Sequence, residues 1–97
     1  MHGEIKITNN EQRLHFETLL DDGDYAFIEY RWHKGALALM HTLVPEKHNG
    51  KGIAGALAKF ALEYAKEKKL GLVVYCPYVQ AYMKRHPEYD FLLAHEK

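Results

Sequence analysis

The sequence predicts a mixed α+β fold: an antiparallel meander in the first half, then a strand–helix–strand crossover and a C-terminal helix. Three observations carry this. Apolar and polar residues alternate in short runs, separated by turn signals, as far as Val44, the pattern of half-buried strands. From Ile53 the apolar period lengthens to that of a helix. A short apolar run, Leu72-Val73-Val74-Tyr75, follows that helix, and a strand reached through a helix pairs in parallel with the strand before it.

Taken in order, Ile5 and Ile7 alternate with polar residues in a first strand that stops at a turn pair, Asn9-Asn10. A second run covers Arg13 to Leu20 and ends at Asp21-Asp22-Gly23-Asp24, residues that favour tight turns. A third runs from Tyr25 to Trp32, and His33-Lys34-Gly35 closes a hairpin onto a fourth, Ala36 to Val44. Strict alternation puts Leu37, Leu39, His41 and Leu43 on one face of this strand and Ala36, Ala38, Met40, Thr42 and Val44 on the other. Both rows are largely apolar, so the strand is expected to be central and covered on both sides. A long helix is expected from about Gly52 to Lys69, with Ile53, Leu57, Phe60, Ala61 and Tyr64 inward, Lys59, Glu63, Lys66 and Glu67 outward, and Gly71 as the stop. A second helix starts at Pro77, suited to a first turn, and ends at His86-Pro87. Tyr89 to Leu93 reads as a last strand or a packed tail.

Composition narrows the function classes. A chain of 97 residues is expected to form one domain, 1–97. Lys+Arg and Asp+Glu are both 13, which gives no basic footprint for nucleic acid and fits a monomer. One cysteine excludes an internal disulfide and points to a reducing compartment. Met1 to Lys6 has no apolar signal-peptide region, and no apolar run approaches membrane-spanning length. The expected location is therefore cytoplasmic. None of the seven histidines has zinc-site spacing or a second cysteine to pair with, so no metal is expected.

Ligands of sheets containing such a crossover bind at the carboxyl ends of the strands. Three features converge there: the strand end Thr42-Leu43-Val44, the turn Asn49-Gly50-Lys51-Gly52-Ile53-Ala54-Gly55 and Cys76 beyond the next strand. The first N–H groups of a helix lack intrahelical partners and attract anions, and Lys51, Lys47 and His48 add positive charge nearby. A phosphate or diphosphate suits this turn, although a glycine-rich helix start that binds nothing is the plainer reading. No Ser or Thr follows a Gly-Lys pair, which excludes a P-loop. Gly50, Gly52 and Gly55 spell G-x-G-x-x-G, but Tyr75 and Cys76 stand where a dinucleotide fold places an acidic residue.

Asn49-Gly50-Lys51-Gly52-Ile53-Ala54 resembles the Q/R-x-x-G-x-G/A motif of the GNAT acetyltransferase superfamily. His41-Thr42-Leu43-Val44-Pro45, Cys76-Pro77-Tyr78 and Tyr82 through His86-Pro87-Glu88-Tyr89 follow in the order seen in its small single-domain members with a lone cysteine. The resemblance implies a GNAT-like fold and an N-acetyltransferase that takes acetyl from acetyl-coenzyme A to an unidentified amine. It implies cofactor contacts at Asn49, Gly50, Lys51, Gly52, Ile53 and Ala54, and at Leu43 and Val44 for the pantetheine arm. Tyr82 matches the helix tyrosine that protonates the coenzyme A sulfur in many members, with core packing as its alternative. Cys76, ahead of a helix N-terminus, reads as acetyl-carrying nucleophile, proton donor or buried apolar side chain. His41 reads as a base, as a group tuning Cys76, or as a core histidine. Asn49 departs from the motif's Gln or Arg, with Lys47 or Lys51 to compensate, and the helices that usually follow the first strand are absent. A coenzyme A-binding module with little transferase activity is therefore the alternative function. A small interaction protein with a purely structural turn is the third reading, and it alone predicts no coenzyme A binding.

Overall fold

A computed structural model describes residues 5–93; positions 1–4 and 94–97, the outer ends of the expected 1–97 unit, lie outside them. Alternation builds the sheet. Strands β1 (Thr8–Asn10), β2 (His15–Leu19), β3 (Tyr25–His33), β4 (Ala36–Leu43) and β5 (Leu72–Val74) lie side by side in chain order. The first four are antiparallel, and β5 returns parallel to β4. The mixed fold expected from the pattern is present.

β1 begins at Thr8, not at Ile5, and the Asn9-Asn10 pair expected as a turn is its end. Asparagine is a poor strand former, and here its side chain has partners. The Tyr30 hydroxyl donates to Asn9 Oδ1 at 2.6 Å, and Asn9 Nδ2 donates to the Tyr64 hydroxyl at 3.4 Å. The edge strand is thereby tied to the helix layer.

Phe16, Ala26, Ile28, Tyr30, Leu37 and Leu39 point to one side of the sheet and are buried. Helix α1 (Ile53–Lys68) covers them with Ile53, Leu57, Ala58, Ala61, Leu62 and Ala65. Phe60 and Tyr64 flank this stripe, their rings 5.5 and 5.1 Å from that of Phe16. The helix stops at Lys69, itself left-handed at φ 58° with its N–H returning to the Ala65 and Lys66 carbonyls, two residues before the expected Gly71. Helix α2 (Pro77–Arg85) adds Val79, Tyr82 and Met83 to the same core. The tail is a 3-10 segment, Pro87–Leu92, with Tyr89 and Leu92 buried, and a single parallel bridge joins Leu93 to Leu72. No helix among the described residues is long and apolar enough to cross a membrane.

β4 differs most from the expectation. Tyr30 pairs with Leu39 and Glu29 with His41, so Met40 has no partner on β3. Such a bulge breaks the alternation and re-aims the side chains beyond it. Thr42, opposite Ile28, turns to the core side; His41, opposite Glu29, turns to the outer side. The face assignment drawn from strict alternation is therefore inverted past Met40. The expected cover on both sides also fails at this end, where His41 and Leu43 are exposed.

The Tyr89 hydroxyl donates to Glu63 Oε2 at 2.6 Å and pins the tail to α1. That bond, with burial second, raises the Tyr89 pKa from 10.0 to about 12. Folding thus favours the protonated phenol, and the contribution is full below pH 10 and lost as pH rises through about 12. Tyr89→Phe should cost about 1 kcal/mol at neutral pH. The wild type's margin over the variant should vanish between pH 10 and 12, as read from urea midpoints at several pH values.

Candidate functional site

The segment between β4 and α1 folds around its glycines. A 3-10 turn, Glu46–His48, is closed by the Asn49 N–H on the Glu46 carbonyl at 3.0 Å. Gly50 and Gly52 then adopt φ of 83° and 78°, the left-handed region that costs a side chain dearly. A Cβ at either would meet nothing within 4 Å, so conformation, not crowding, requires glycine at both. The first helical bond runs from the Ala56 N–H to the Gly52 carbonyl at 3.0 Å, and no side chain caps the helix. Ile53 is buried beneath the turn, whereas Asn49, Gly50, Lys51 and Gly52 are exposed. Of the six residues expected to hold the cofactor, Asn49 to Gly52 form an exposed run at an uncapped helix N-terminus, Ile53 is buried and Ala54 is half-buried; unpaired N–H groups at such an end attract anions.

A gap opens beside this turn. β4 and β5 pair at three positions only, Leu37 to Leu39 against Leu72 to Val74. The N–H groups of Tyr75 and Cys76 then converge on one acceptor, the Leu39 carbonyl, at 2.9 and 3.1 Å. β4 continues to Leu43 without β5, so the strands separate where Met40 bulges. Leu43 is half exposed at the end of β4, and Val44 packs against the core.

Cys76 sits in the crotch of this separation, 2% exposed, as the N-cap of α2. Thr42, turned inward by the bulge, places its Oγ1 3.2 Å from the Cys76 Sγ. His41 goes elsewhere. Its Nε2 lies 2.6 Å from Glu29 Oε1 on the outer face, and Arg31 holds the other oxygen of Glu29 at 2.6 Å. His15 stacks on Phe27 alongside, with ring centroids 4.0 Å apart. The structure therefore brings Thr42 to Cys76 and Glu29 to His41, and it places the two pairs on opposite sides of the sheet.

Two tyrosines project from α2. Tyr82 stacks on His86 at 4.2 Å and lines a groove with Lys59, Glu63 and Tyr89, roughly two turns or more along α1 from the glycines. Burial raises its pKa. Tyr78 is the tyrosine that reaches the α1 N-terminus: its hydroxyl lies 3.5 Å from where a Gly55 Cβ would stand. A second groove, lined by Val74, Gln80, Met83 and Leu93, follows the outer edge of β5. Neither hollow includes the glycine turn or Cys76. The candidate site is an open loop and a strand separation, not a closed cavity.

Asp22 was not legible as part of this region. Its Oδ2 lies 2.8 Å from Lys47 Nζ and 3.0 Å from His48 Nε2. Lys47 first, then His48, hold its carboxyl well below the usual carboxylate range. Asp21, Asp22 and His48 have ligand atoms close enough to hold a metal ion, but the Lys47 ammonium already occupies the carboxylate.

The profile of the GCN5-related N-acetyl-transferase family matches residues 15–92. Protein NATD1 of Mus musculus is 36% identical over 92 residues, which cover 93% of this chain and 84% of the relative. Protein NATD1 of Homo sapiens is 34% identical over 90 residues, with coverages of 91% and 80%. The NMR solution structure of a GCN5-like protein from Staphylococcus aureus matches with a TM-score of 0.71 over 96% of this chain and 91% of that one. At 21% identity this last match is a likeness of fold.

The glycines of the turn make opposite predictions. Gly52→Ala should destabilise the protein by roughly 1–2 kcal/mol through left-handed strain. Gly55→Ala lies within α1, where the new methyl would make only ordinary contact with Tyr78. It should stabilise by about 0.5–1 kcal/mol. Thermal or urea unfolding of the two variants reads both signs.

Proposed function

The chain belongs to the GCN5-related N-acetyltransferase family, and on that footing we propose that it transfers acetyl from acetyl-coenzyme A to an amine. The observation that carries this reading is the coincidence of two openings: an uncapped helix start behind left-handed Gly50 and Gly52, and the separation of β4 from β5 at Cys76. In this reading N–H groups from Gly50 to Ala54, with Lys51, hold the diphosphate. Backbone groups near Leu43 and Val44 line the path of the pantetheine arm toward Cys76. The bound thioester supplies an activated acyl carbon, whose oxygen gains negative charge during transfer and needs donors aimed at it.

The chain's own groups divide the remaining work. The Cys76 thiol, with Thr42 fixing its direction, is the acetyl-accepting nucleophile of this proposal. On the other side of the sheet, out of reach of that thiol, His41 is the base open to an amine that arrives on the outer face, with Glu29 orienting its ring. For protonation of the departing sulfur the geometry favours Tyr78 over the sequence-matched Tyr82, because Tyr78 reaches the α1 N-terminus and Tyr82 faces Glu63 and His86.

A coenzyme A-binding module is the second reading, favoured by the exposure of His41, at 69% of its side chain. No element among the described residues walls in an acceptor there.

Titration with acetyl-coenzyme A, followed by intact mass spectrometry, separates the two. The transferase should show saturable binding and one acetyl adduct, which Cys76→Ala abolishes while its affinity stays within about twofold. Tyr78→Phe should slow turnover by roughly 100-fold, the low end of the range for a lost acid or base, and more than Tyr82→Phe does. Binding without adduct or turnover selects the module. Absence of binding at millimolar ligand removes both.

A further inference from the structure

The corner where the β2–β3 turn meets the glycine loop contains a chain of contacts that the transfer chemistry above does not use. His48 is 5% exposed, the only buried histidine among the described residues. Both ring nitrogens are engaged: Nε2 lies 3.0 Å from Asp22 Oδ2 and Nδ1 lies 3.3 Å from Lys51 Nζ. A carboxylate only accepts hydrogen bonds and an ammonium only donates them. One protonation state satisfies both contacts: a neutral imidazole that donates from Nε2 and accepts at Nδ1.

The charges around this imidazole are unequally committed. Lys47 lies 2.8 Å from Asp22 and 3.3 Å from Asp24, so two carboxylates neutralise it. Asp22 Oδ1 meanwhile accepts the Asp24 N–H at 3.1 Å and shapes its own turn. Lys51 has no carboxylate within ion-pairing distance among the described residues. Its partner is the neutral imidazole, which fixes the ammonium without cancelling its charge. Lys51 stands between Gly50 and Gly52, at the start of α1.

We propose that Asp22 and His48 are positioning residues that hold Lys51, fully charged and in one orientation, for the diphosphate of coenzyme A. The turn thereby takes a diphosphate ester in preference to a thiol-bearing arm that lacks one. A free lysine must be ordered when it binds, and that ordering subtracts from affinity; the relay has done it in advance. Lys47 acts as the clamp on Asp22, not as a phosphate ligand. The inference rests on the cofactor reading above, and the tests separate the two.

Coenzyme A and pantetheine, which lacks the diphosphate, should be titrated into the wild type, His48→Leu, His48→Gln, Lys51→Met and the His48→Leu/Lys51→Met double variant. His48→Leu should weaken coenzyme A binding by about three- to tenfold and leave pantetheine binding unchanged. His48→Gln, whose amide NH₂ can donate to Asp22 and whose carbonyl can accept from Lys51, should recover most of the loss. In the Lys51→Met background His48→Leu should add nothing, as expected of two groups acting through one contact. Equal coenzyme A affinity in wild type and His48→Leu overturns the inference, as does an undiminished loss when Lys51 is already Met. A second measurement needs no variant. Nitrogen-15 spectra of the His48 ring should show protonation at Nε2 alone near neutral pH; an Nδ1–H tautomer or an imidazolium overturns the relay. A wild type with the expected tautomer that binds no coenzyme A overturns the cofactor reading and the proposal built on it, leaving the hydrogen-bond chain as structure only.

Discussion

Between Leu39 and His41, β4 carries one residue more than β3 can match, and the sheet has to absorb it. Three features meet at this single insertion. The strand turns over, so that Thr42 reaches the core side and His41 the outer side. The ladder to β5 ends at Leu39, whose carbonyl takes two N–H groups at once. Cys76, carried on the second of those N–H groups, is left beside Thr42 at the point of separation. A regular β4 would have set Met40, not His41, opposite Glu29. It would also have turned the Thr42 hydroxyl away from the thiol.

The second constraint is the anchoring of the glycine loop. Left-handed glycines let the chain turn sharply, but they do not hold it in one place. Restraint comes from the hairpin turn through Asp22, which spends one oxygen on its own turn and the other on Lys47 and His48. The loop is therefore braced by a residue from a distant part of the chain, and by charge as well as by packing. Ile53 adds an apolar anchor beneath it.

Much of this was legible in the sequence because it depends on local pattern. The helices, the hairpin turns, the crossover and the glycine turn each announce themselves within a few residues. The errors have a common cause in register. Counting back from the His33-Lys34-Gly35 hairpin, an unbroken ladder sets Glu29 opposite Met40 and turns Thr42 outward; only a bulge sets Glu29 opposite His41. No local signal announces a bulge at Met40, which is neither glycine nor proline. The Asn9-Asn10 pair misled for a related reason, since its strand is secured by Tyr30 and Tyr64, far along the chain. Asp22 was read correctly as a turn residue, but its second role depends on tertiary proximity to His48.

The two-layer build explains what kind of site remains. Both helices lie against one side of the sheet and share a single core, so a short chain gains a full hydrophobic layer there, and among the described residues no helix covers the outer face. The sequence of that face conforms: Glu17, Glu29, Arg31 and His41 stand where a second helical layer would demand apolar residues. Water also weakens the electrostatic leverage that the Glu29–His41 pair can exert on a reacting amine. Cys76 and Thr42, behind the sheet, escape that penalty. If the protein transfers acetyl as proposed, an amine would either bring enough of its own surface to exclude water from His41, or react with an acetyl group already moved to the buried thiol. Under the acetyl-transfer proposal the second route asks less of the outer face, and it would rest transfer on the cysteine and not on the histidine.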